Sequence, residues 1–204
     1  MRRSAAAIEQ SKLMTVDQWA ALDEDVEGEL VDGVLEEEEM PSILHETIVV
    51  WLAAILGAWA RRRRGFATGS ETKLAVGPRR GRKPDLSIFL PPNLPAASDT
   101  LVRVPAHVVI EIVSPHPRDT RRDRVEKLTD YARAHVHYYW IVDPQIRSLE
   151  VYELGRDGRY AVALTATDRR VRLPGCPGLT LDLTALWNEV ATVERAVGRQ
   201  QRRR

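Results

Sequence analysis

Hydrophobic residues recur at helical spacing in two segments of the first third of the chain. Thr15 and Gln18 make a capping-box pair, which predicts a short helix over residues 15–22. Ser42 can cap a long helix that ends near residue 63, and its apolar positions 48, 51, 52, 55, 56 and 59 form one wide face. Between the helices, Asp32-Gly33 favours a type I′ turn, which predicts a hairpin of residues 29–31 and 34–36.

After Gly69 the pattern changes to short apolar runs bounded by proline or glycine, which are typical of strands. Predicted strands cover residues 73–76, 85–90, 108–113, 138–142 and 149–154, with a weaker pair at 160–164 and 171–173. Helices are predicted over residues 119–134 and 183–193. Residues 15–194 are therefore expected to form a single α/β domain with helices against a mixed sheet. Residues 1–14 are expected to be a flexible N-terminus and residues 195–204 a disordered basic tail.

Composition excludes several classes of protein. A length of 204 residues suits one domain, and a formal net charge of +1 says nothing about a nucleic-acid partner. Cys176 is the only cysteine, which excludes an intramolecular disulfide and argues against a zinc cluster. No apolar run follows the basic N-terminus, and the longest apolar stretch, residues 48–60, is predicted to be too short to span a bilayer. A cytoplasmic protein without a membrane segment is expected.

Two carboxylates in apolar strands are the candidate chemistry. Asp85 opens one predicted strand, and Glu111 lies inside another, where a charge is costly to bury unless it is paired or bound to a metal. Strand alternation places Glu111 on the side of Val109 and Val113. If both carboxylates converge on one divalent cation, all-oxygen ligation suits Mg²⁺ or Mn²⁺. On spacing alone, the alternative is that Asp85 caps a strand and Glu111 pairs with an arginine.

Six short segments carry a resemblance to a known family, in one order and over most of the chain. They are Gly-Glu-Leu-Val-Asp-Gly-Val-Leu (28–35), Pro-Ser-Ile-Leu-His (41–45), Lys-Pro-Asp-Leu-Ser-Ile (83–88), Val-Ile-Glu-Ile-Val-Ser-Pro (109–115), Asp-Arg-Val-Glu-Lys-Leu (123–128) and Tyr-Trp-Ile-Val-Asp-Pro (139–144). From about residue 29 to residue 187, the chain resembles the restriction-endonuclease-like proteins of the Uma family, a branch of the PD-(D/E)XK nuclease superfamily. The resemblance implies an αβββαβ core. It also implies a metal-dependent endonuclease that uses Mg²⁺ or Mn²⁺ and acts on nucleic acid, with DNA as the expected substrate.

The resemblance also implies roles for individual residues. Asp85 takes the place of the motif's aspartate and Glu111 that of its second acid, so that Asp85, Glu111 and the backbone carbonyl of Ile112 would hold the metal. The family's usual lysine, two residues after the second acid, is absent, and Lys127 on the next predicted helix is the candidate for its role. The alternative for Lys127 is an i,i+4 pair with Asp123.

Further candidates surround these positions. His45, near the start of the long helix, and Glu29, before the Asp-Gly turn, are candidates for completing the catalytic site, and a local structural role is the alternative for each. Basic residues near the expected site are candidates for contacts with the nucleic-acid backbone. They are Arg82, Lys83, Arg121 and Arg122.

Metal-dependent hydrolysis of a phosphodiester is the function favoured by these residues. A nuclease-fold interaction or regulatory module without turnover is the main alternative, because a fold does not guarantee an activity. A hydrolase that uses the two acids without a metal is the weaker third hypothesis. Cutting both strands of DNA would favour a homodimer, with the apolar face between Trp51 and Trp59 or an exposed strand as the interface.

Overall fold

The computed structural model of the protein describes residues 13–23, 26–37, 40–114 and 121–201. The helices in these ranges are α1 (Val16–Ala20), α2 (Ile43–Arg61), α3 and α4 (Leu183–Gln201). Helix α3 begins as a π-helical turn (Arg122–Lys127) and continues as an α-helix (Leu128–Arg133). The strands are β1 (Glu29–Val31), β2 (Val34–Glu36), β3 (Phe66–Thr68), β4 (Leu74–Gly77), β5 (Arg80–Arg82), β6 (Leu86–Phe89), β7 (Val108–Ile112), β8 (Tyr138–Asp143), β9 (Ser148–Leu154), β10 (Tyr160–Ala166), β11 (Arg170–Arg172) and β12 (Thr180–Asp182).

The main sheet contains six strands in the order β10-β9-β8-β7-β6-β3. Strands β7 and β8 are parallel, and the other four neighbouring pairs are antiparallel. Helix α3 supplies the crossover that a parallel pair requires. In chain order, α2, β3, β6, β7, α3 and β8 form the expected αβββαβ core. The prediction of a single α/β domain with a mixed sheet flanked by helices is confirmed.

Each face of the main sheet buries its own apolar cluster, and this fixes the side-chain directions in β7. Ile110 and Ile112 pack with α2 and α4 on one face. On the other face, Val109 packs in a cluster with Tyr139 of β8 and Tyr131 of α3. Alternation puts Glu111 on this second face, as predicted, with 3% of the residue exposed. A carboxylate therefore lies inside the core, where it needs polar partners.

A smaller sheet, β2-β1-β5-β4, joins the N-terminal hairpin to the core. The hairpin turn has φ of 50° at Asp32 and 85° at Gly33, as a type I′ turn requires. The indole of Trp19 lies so close to Gly81 that a Cβ there would be 2.3 Å from the ring, so glycine is needed for α1 to pack on β5. Because β1 and β5 are neighbours, the hairpin is held beside the residues that follow β5.

The sequence pattern misses β3, β5 and β12. Strand β3 has three residues between Gly65 and Gly69, which is too short to show a period of two. Strand β5 reads Arg-Gly-Arg, a composition typical of a solvated basic segment. Arg82 is nevertheless completely buried, because its charge is paired inside the protein.

The predicted ends of the chain differ from the structure where they can be compared. Helix α4 continues to Gln201, whereas the prediction ends it at residue 193, so residues 195–201 are helical rather than disordered. Met14, from the segment expected to be flexible, donates its N–H to the carbonyl of Gly33. Residues 1–12, 202–204 and 115–120, the last at the start of the helix predicted over 119–134, lie outside the described residues.

Helix α2 is long and apolar enough to cross a membrane by length and composition alone, with a mean hydropathy of 1.7, so the expectation that this stretch is too short was wrong. Its residues Ile48, Leu52, Leu56 and Trp59 are buried against the main sheet. This packing accounts for the apolar residues on the face of the helix that meets the sheet.

Candidate active site

The residues singled out in the sequence meet in one cleft with a volume of about 1220 Å³. The cleft lies where α2, the end of β7 and the first turn of α3 approach the start of β6. Its lining includes seven of the predicted residues: His45, Lys83, Asp85, Glu111, Ile112, Arg122 and Lys127. Residues that are far apart in the chain and on different elements are thus brought to one place.

Asp85 is fixed at the entrance to β6 by two contacts on one oxygen. Its Oδ2 accepts a hydrogen bond from the backbone N–H of Ile112 at 2.6 Å, which ties β6 to the end of β7. His45 Nε2 lies 3.1 Å from the same oxygen. His45 stands in the first turn of α2, where its backbone N–H donates to the capping hydroxyl of Ser42. Asp85 therefore caps a strand end through its hydrogen bond to Ile112, and it also lines the cleft.

Glu111 has a partner on each carboxylate oxygen, and both partners come from α3. The Nζ of Lys127 lies 2.9 Å from Oε2, and the hydroxyl of Tyr131 donates to Oε1 at 2.5 Å. Lys127 also lies 3.7 Å from Asp123 Oδ1, its i,i+4 neighbour. Lys127 therefore lies beside the second acid, as the resemblance implies, and also near Asp123, as the alternative predicts. Its contact with Glu111 is the shorter of the two. Among the described residues, no arginine contacts Glu111.

Glu29 reaches the same lysine from β1. Its Oε1 lies 3.6 Å from Lys127 Nζ and accepts the backbone N–H of Lys83 at 2.9 Å. Its Oε2 lies 2.7 Å from Arg82 NH1. Glu29 is 1% exposed. Glu29 therefore contributes a negative charge near the ammonium of Lys127 without lining the cleft itself.

The prediction that Arg82 contacts nucleic acid is wrong. Its guanidinium is 0% exposed and is held between Glu29 and Asp130, with NH2 2.7 Å from Asp130 Oδ2. Because Asp130 and Glu29 are themselves buried, the arginine compensates two carboxylates that water does not reach. Its role is structural, in line with the pKa of Arg82, which the two carboxylates raise against the opposing effect of burial.

The charges of the cluster are strongly coupled. Burial raises the pKa of Glu111 well above its ordinary value, and the carboxylates of Asp85, Asp123 and Glu29 add to this against the opposing effect of Lys127. Burial disfavours the charged form of Lys127, yet its surrounding carboxylates raise its pKa, so the side chain is a permanent cation. The site thus combines one fixed ammonium with an excess of carboxylates, an imbalance that a divalent cation would offset.

The donor set fits a hard divalent cation. Asp85 and Glu111 supply carboxylates, and the side chain of Ile112 packs in the core while the residue borders the cleft, so its main chain faces the cleft. Within the described residues, no three His, Cys, Asp or Glu side chains converge as a metal site by themselves. Two carboxylates and one carbonyl leave positions for water and substrate oxygens, which is the usual environment of Mg²⁺.

Comparison with known proteins agrees with this geometry. The profile of a family described as "Putative restriction endonuclease", Uma2, matches residues 14–184. The chain belongs to the Uma2 family. The crystal structure of "a putative nuclease belonging to DUF820" from Anabaena variabilis ATCC 29413 superposes with a TM-score of 0.72 at 20% identity, over 87% of this chain and 99% of that chain. No curated protein matches this chain significantly. Membership of Uma2 confirms the family resemblance and supports a nuclease function.

The remaining basic candidates of this Uma2 protein lie around the cleft. Lys83 is 10% exposed, with its Nζ 2.7 Å from Glu71 Oε2, and Arg122 is part of the cleft lining. Arg121 is exposed at the start of the π-helical turn. These three stay candidates for backbone contacts. Arg124 is used within the protein, because it pairs with Glu150 at 2.5 Å.

Two side chains of α3 at the candidate site were not singled out as site residues from the sequence. Asp123 lines the cleft, and Tyr131 binds Glu111. Both stand one i,i+4 step from Lys127, so the spacing Asp-x₃-Lys-x₃-Tyr on one helix face is the signal that identifies them. Asp130, the second partner of Arg82, carries no such signal, because it reads as an ordinary charge on a helix.

Proposed function

We propose that this Uma2 protein is a cytoplasmic, divalent-metal-dependent endonuclease that hydrolyses phosphodiester bonds of nucleic acid, with DNA as its substrate. One observation carries the proposal. The lysine that the nuclease motif requires beside its second acid is supplied from α3, where Lys127 Nζ lies 2.9 Å from Glu111 Oε2. The displaced lysine and the two acids thus border one cleft.

Each residue has a distinct task in this proposal. Asp85, Glu111 and the carbonyl of Ile112 would hold Mg²⁺ or Mn²⁺, which when bound polarises a phosphate and lowers the pKa of a coordinated water. Lys127 offsets the negative charge that develops on the phosphate, because its ammonium is fixed and stays charged. Tyr131 and Glu29 hold the two partners of the key ion pair in place. His45 restrains Asp85.

The nucleic-acid backbone would be bound at the mouth of the cleft. Lys83 and Arg122 line it, and Arg121 lies next to Arg122 at the start of α3. These contacts would position a phosphate without reading its sequence. Since such binding releases counterions, affinity should fall steeply as salt is added.

A homodimer belongs to the same proposal, because cutting both strands of a duplex requires two sites that face opposite strands. Trp59, at one end of the apolar face considered for the interface, is buried in the core and is excluded from it. Ile43 and Val50 on α2 are 72% and 66% exposed and border a groove with Trp51. These residues support α2 as the dimer surface.

A module of the same fold without turnover is the second candidate. It is favoured by the closure of the site, since Glu111 is 3% exposed and both of its oxygens are already bonded. A metal would have to share an oxygen of Glu111 with one of these partners or displace that partner. The two candidates differ in what happens when a divalent cation and DNA are supplied.

Nicking of supercoiled plasmid in Mg²⁺ or Mn²⁺, with and without a chelator, tests the proposal. The wild type should nick only with metal, and Asp85→Asn, Glu111→Gln and Lys127→Met should each lose at least about a hundredfold in rate. Glu126→Gln is the matched control. Glu126 is a carboxylate on α3, like Lys127, but it does not line the cleft, so this variant should nick at the wild-type rate.

Metal binding is measured in parallel by calorimetry. Asp85→Asn and Glu111→Gln should weaken Mn²⁺ binding, whereas Glu126→Gln should not. A wild type that neither binds the metal nor nicks DNA would instead support the module without turnover. Nicking that survives chelation would contradict the metal dependence and favour direct use of the acids.

A further inference from the structure

Asp123 is a buried carboxylate with no assigned role in the proposed nuclease chemistry. It lines the cleft beside Glu111 and Lys127, and 4% of the residue is exposed. Its Oδ1 is shielded from solvent and receives no hydrogen bond from any described residue. Most buried polar atoms have a partner, so a lone carboxylate oxygen at the wall of a cleft calls for a ligand.

The backbone holds this carboxylate in place. Asp123 belongs to the π-helical turn that opens α3, a rare geometry that is frequent at functional sites. The hydroxyl of Tyr139, on β8, donates to the carbonyl of Asp123 at 3.0 Å. Lys127 Nζ lies 3.7 Å from Oδ1, beyond hydrogen-bond distance, because the ammonium is drawn to Glu111. The wide turn therefore presents Asp123 without giving its oxygen a bonded partner.

The polar groups nearest to Asp123 already have ion-pair or hydrogen-bond partners. Lys127 is an ammonium and has no acceptor. Glu111 uses one oxygen for Lys127 and the other for Tyr131. Asp85 Oδ2 already accepts the N–H of Ile112. Hydrolysis nevertheless needs an acceptor, because the attacking water must lose a proton as its oxygen bonds to phosphorus.

We propose that Asp123 is a further catalytic residue, whose Oδ1 accepts a hydrogen bond from the attacking water and takes its proton. The inference rests on the proposed nuclease function. In this step a lone pair of the water oxygen forms the bond to phosphorus, and the bond from phosphorus to one bridging oxygen breaks with its electron pair. The water's proton passes to Asp123, and the leaving oxygen is protonated from solvent. The same proton later returns from Asp123 to solvent.

The first test compares Asp123→Asn with the wild type in the plasmid assay. The amide keeps the shape of the side chain and cannot take the proton, so kcat should fall by about 10²- to 10⁴-fold. KM for DNA and the Mn²⁺ affinity from calorimetry should stay within about twofold. The melting temperature should be unchanged or higher, because one buried carboxylate is removed from a cluster in which Glu29, Glu111 and Asp123 share the single ammonium of Lys127. Glu126→Gln, a neutralised carboxylate on the same helix outside the cleft, controls for the loss of charge.

A second variant separates proton transfer from folding. Asp123→Ala leaves a small cavity, and added formate should restore cleavage in this variant and not in Lys127→Met. Wild-type cleavage that Asp123→Asn leaves intact would overturn the role of Asp123 alone, as would a lowered melting temperature with an unchanged rate, the sign of a purely structural ion pair. A wild type without cleavage under any metal would overturn the nuclease proposal itself and, with it, this step.

Discussion

The ammonium of Lys127 contacts the carboxylate of Glu111 at 2.9 Å, although the lysine lies on α3 and the acid on β7. In a linear nuclease motif the two residues are neighbours in one strand. Here the position two residues after Glu111 is Val113, which is buried in the core. The lysine therefore reaches the acid through tertiary structure, and its position depends on the packing of α3.

Lys127→Met should destabilise the protein as well as inactivate it. The substitution leaves Glu29, Glu111 and Asp123 buried without their shared cation, which should lower the free energy of unfolding by about 3–5 kcal/mol at neutral pH. Urea unfolding followed by circular dichroism measures this. Arg156→Met, an exposed site, should change stability by less than about 0.5 kcal/mol. Equal stability of the two variants would show that the carboxylates do not depend on Lys127.

Arg82→Gln should be among the most damaging substitutions of a basic residue. It removes the guanidinium shared by Glu29 and Asp130 and leaves both carboxylates buried, at a cost of about 3–5 kcal/mol. Thermal unfolding of this variant can be compared with that of Arg79→Gln, an exposed arginine three residues earlier, which should be nearly neutral. If Arg82→Gln instead kept its stability and lost DNA binding, the assignment of Arg82 to the interior would be wrong.

Metal binding should strengthen as the pH rises. Burial, with neighbouring carboxylates, holds the pKa of Glu111 well above its ordinary 4.5, so a proton competes with the cation at pH values where a free carboxyl group is already ionised. The same shift makes the metal-free protein lose stability as pH rises from 4.5 through the raised pKa, because the folded state binds the proton more tightly than the unfolded state.

Calorimetry in two buffers of different ionisation enthalpy would detect the proton that the cation displaces. Glu111→Gln should abolish both the proton release and the fall in stability with pH that Glu111 causes. A Mn²⁺ affinity of the wild type that did not change with pH would contradict the raised pKa of Glu111.

His135→Gly should stabilise the protein by about 0.5–1 kcal/mol. His135 follows α3 with φ of 56°, the left-handed region that a side chain adopts at a cost. It is exposed, so little packing is lost. His137→Gly, two residues further and outside that region, should be destabilising, and chemical denaturation of the pair tests the difference in sign.

A dimer built on α2 predicts that Val50→Glu yields monomers. Val50 is 66% exposed, so the folded subunit tolerates the charge, while a paired surface does not. Sedimentation at micromolar concentration is the measurement, with Val162→Glu, at a residue on β10 that is 62% exposed, as the control. A wild type that sediments as a monomer would remove the dimer from the proposal.

The sequence predicts the parts of this fold that depend on local patterns. The turn at Asp32, the cap at Ser42 and the alternation in β7 all follow from residues within one element. Strand β5 does not, because the burial of Arg82 depends on Asp130, which lies 48 residues away. A charge pattern cannot show which arginines face inward when their partners come from other elements.

The candidate site divides in the same way. Asp85 and Glu111 stand out because the first precedes an apolar strand and the second lies inside one, and the family resemblance indicates Lys127. The spacing of Asp123, Lys127 and Tyr131 places them on one helix face, but it does not show that Asp123 keeps a free oxygen or that Tyr131 contacts Glu111. Asp123 lies in the π-helical turn of α3, and a sequence period near 3.6 does not reveal one extra residue in a turn.

Glu29 comes from the N-terminal hairpin, outside the αβββαβ core, and yet it lies 3.6 Å from the lysine of the site. A protein shortened to begin at α2 would keep Asp85, Glu111 and Lys127 and would lose one of the carboxylates around the ammonium. Such a fragment would also lose half of the partners of Arg82. Transplanting this nuclease centre onto another scaffold therefore requires the hairpin to be carried along with the core.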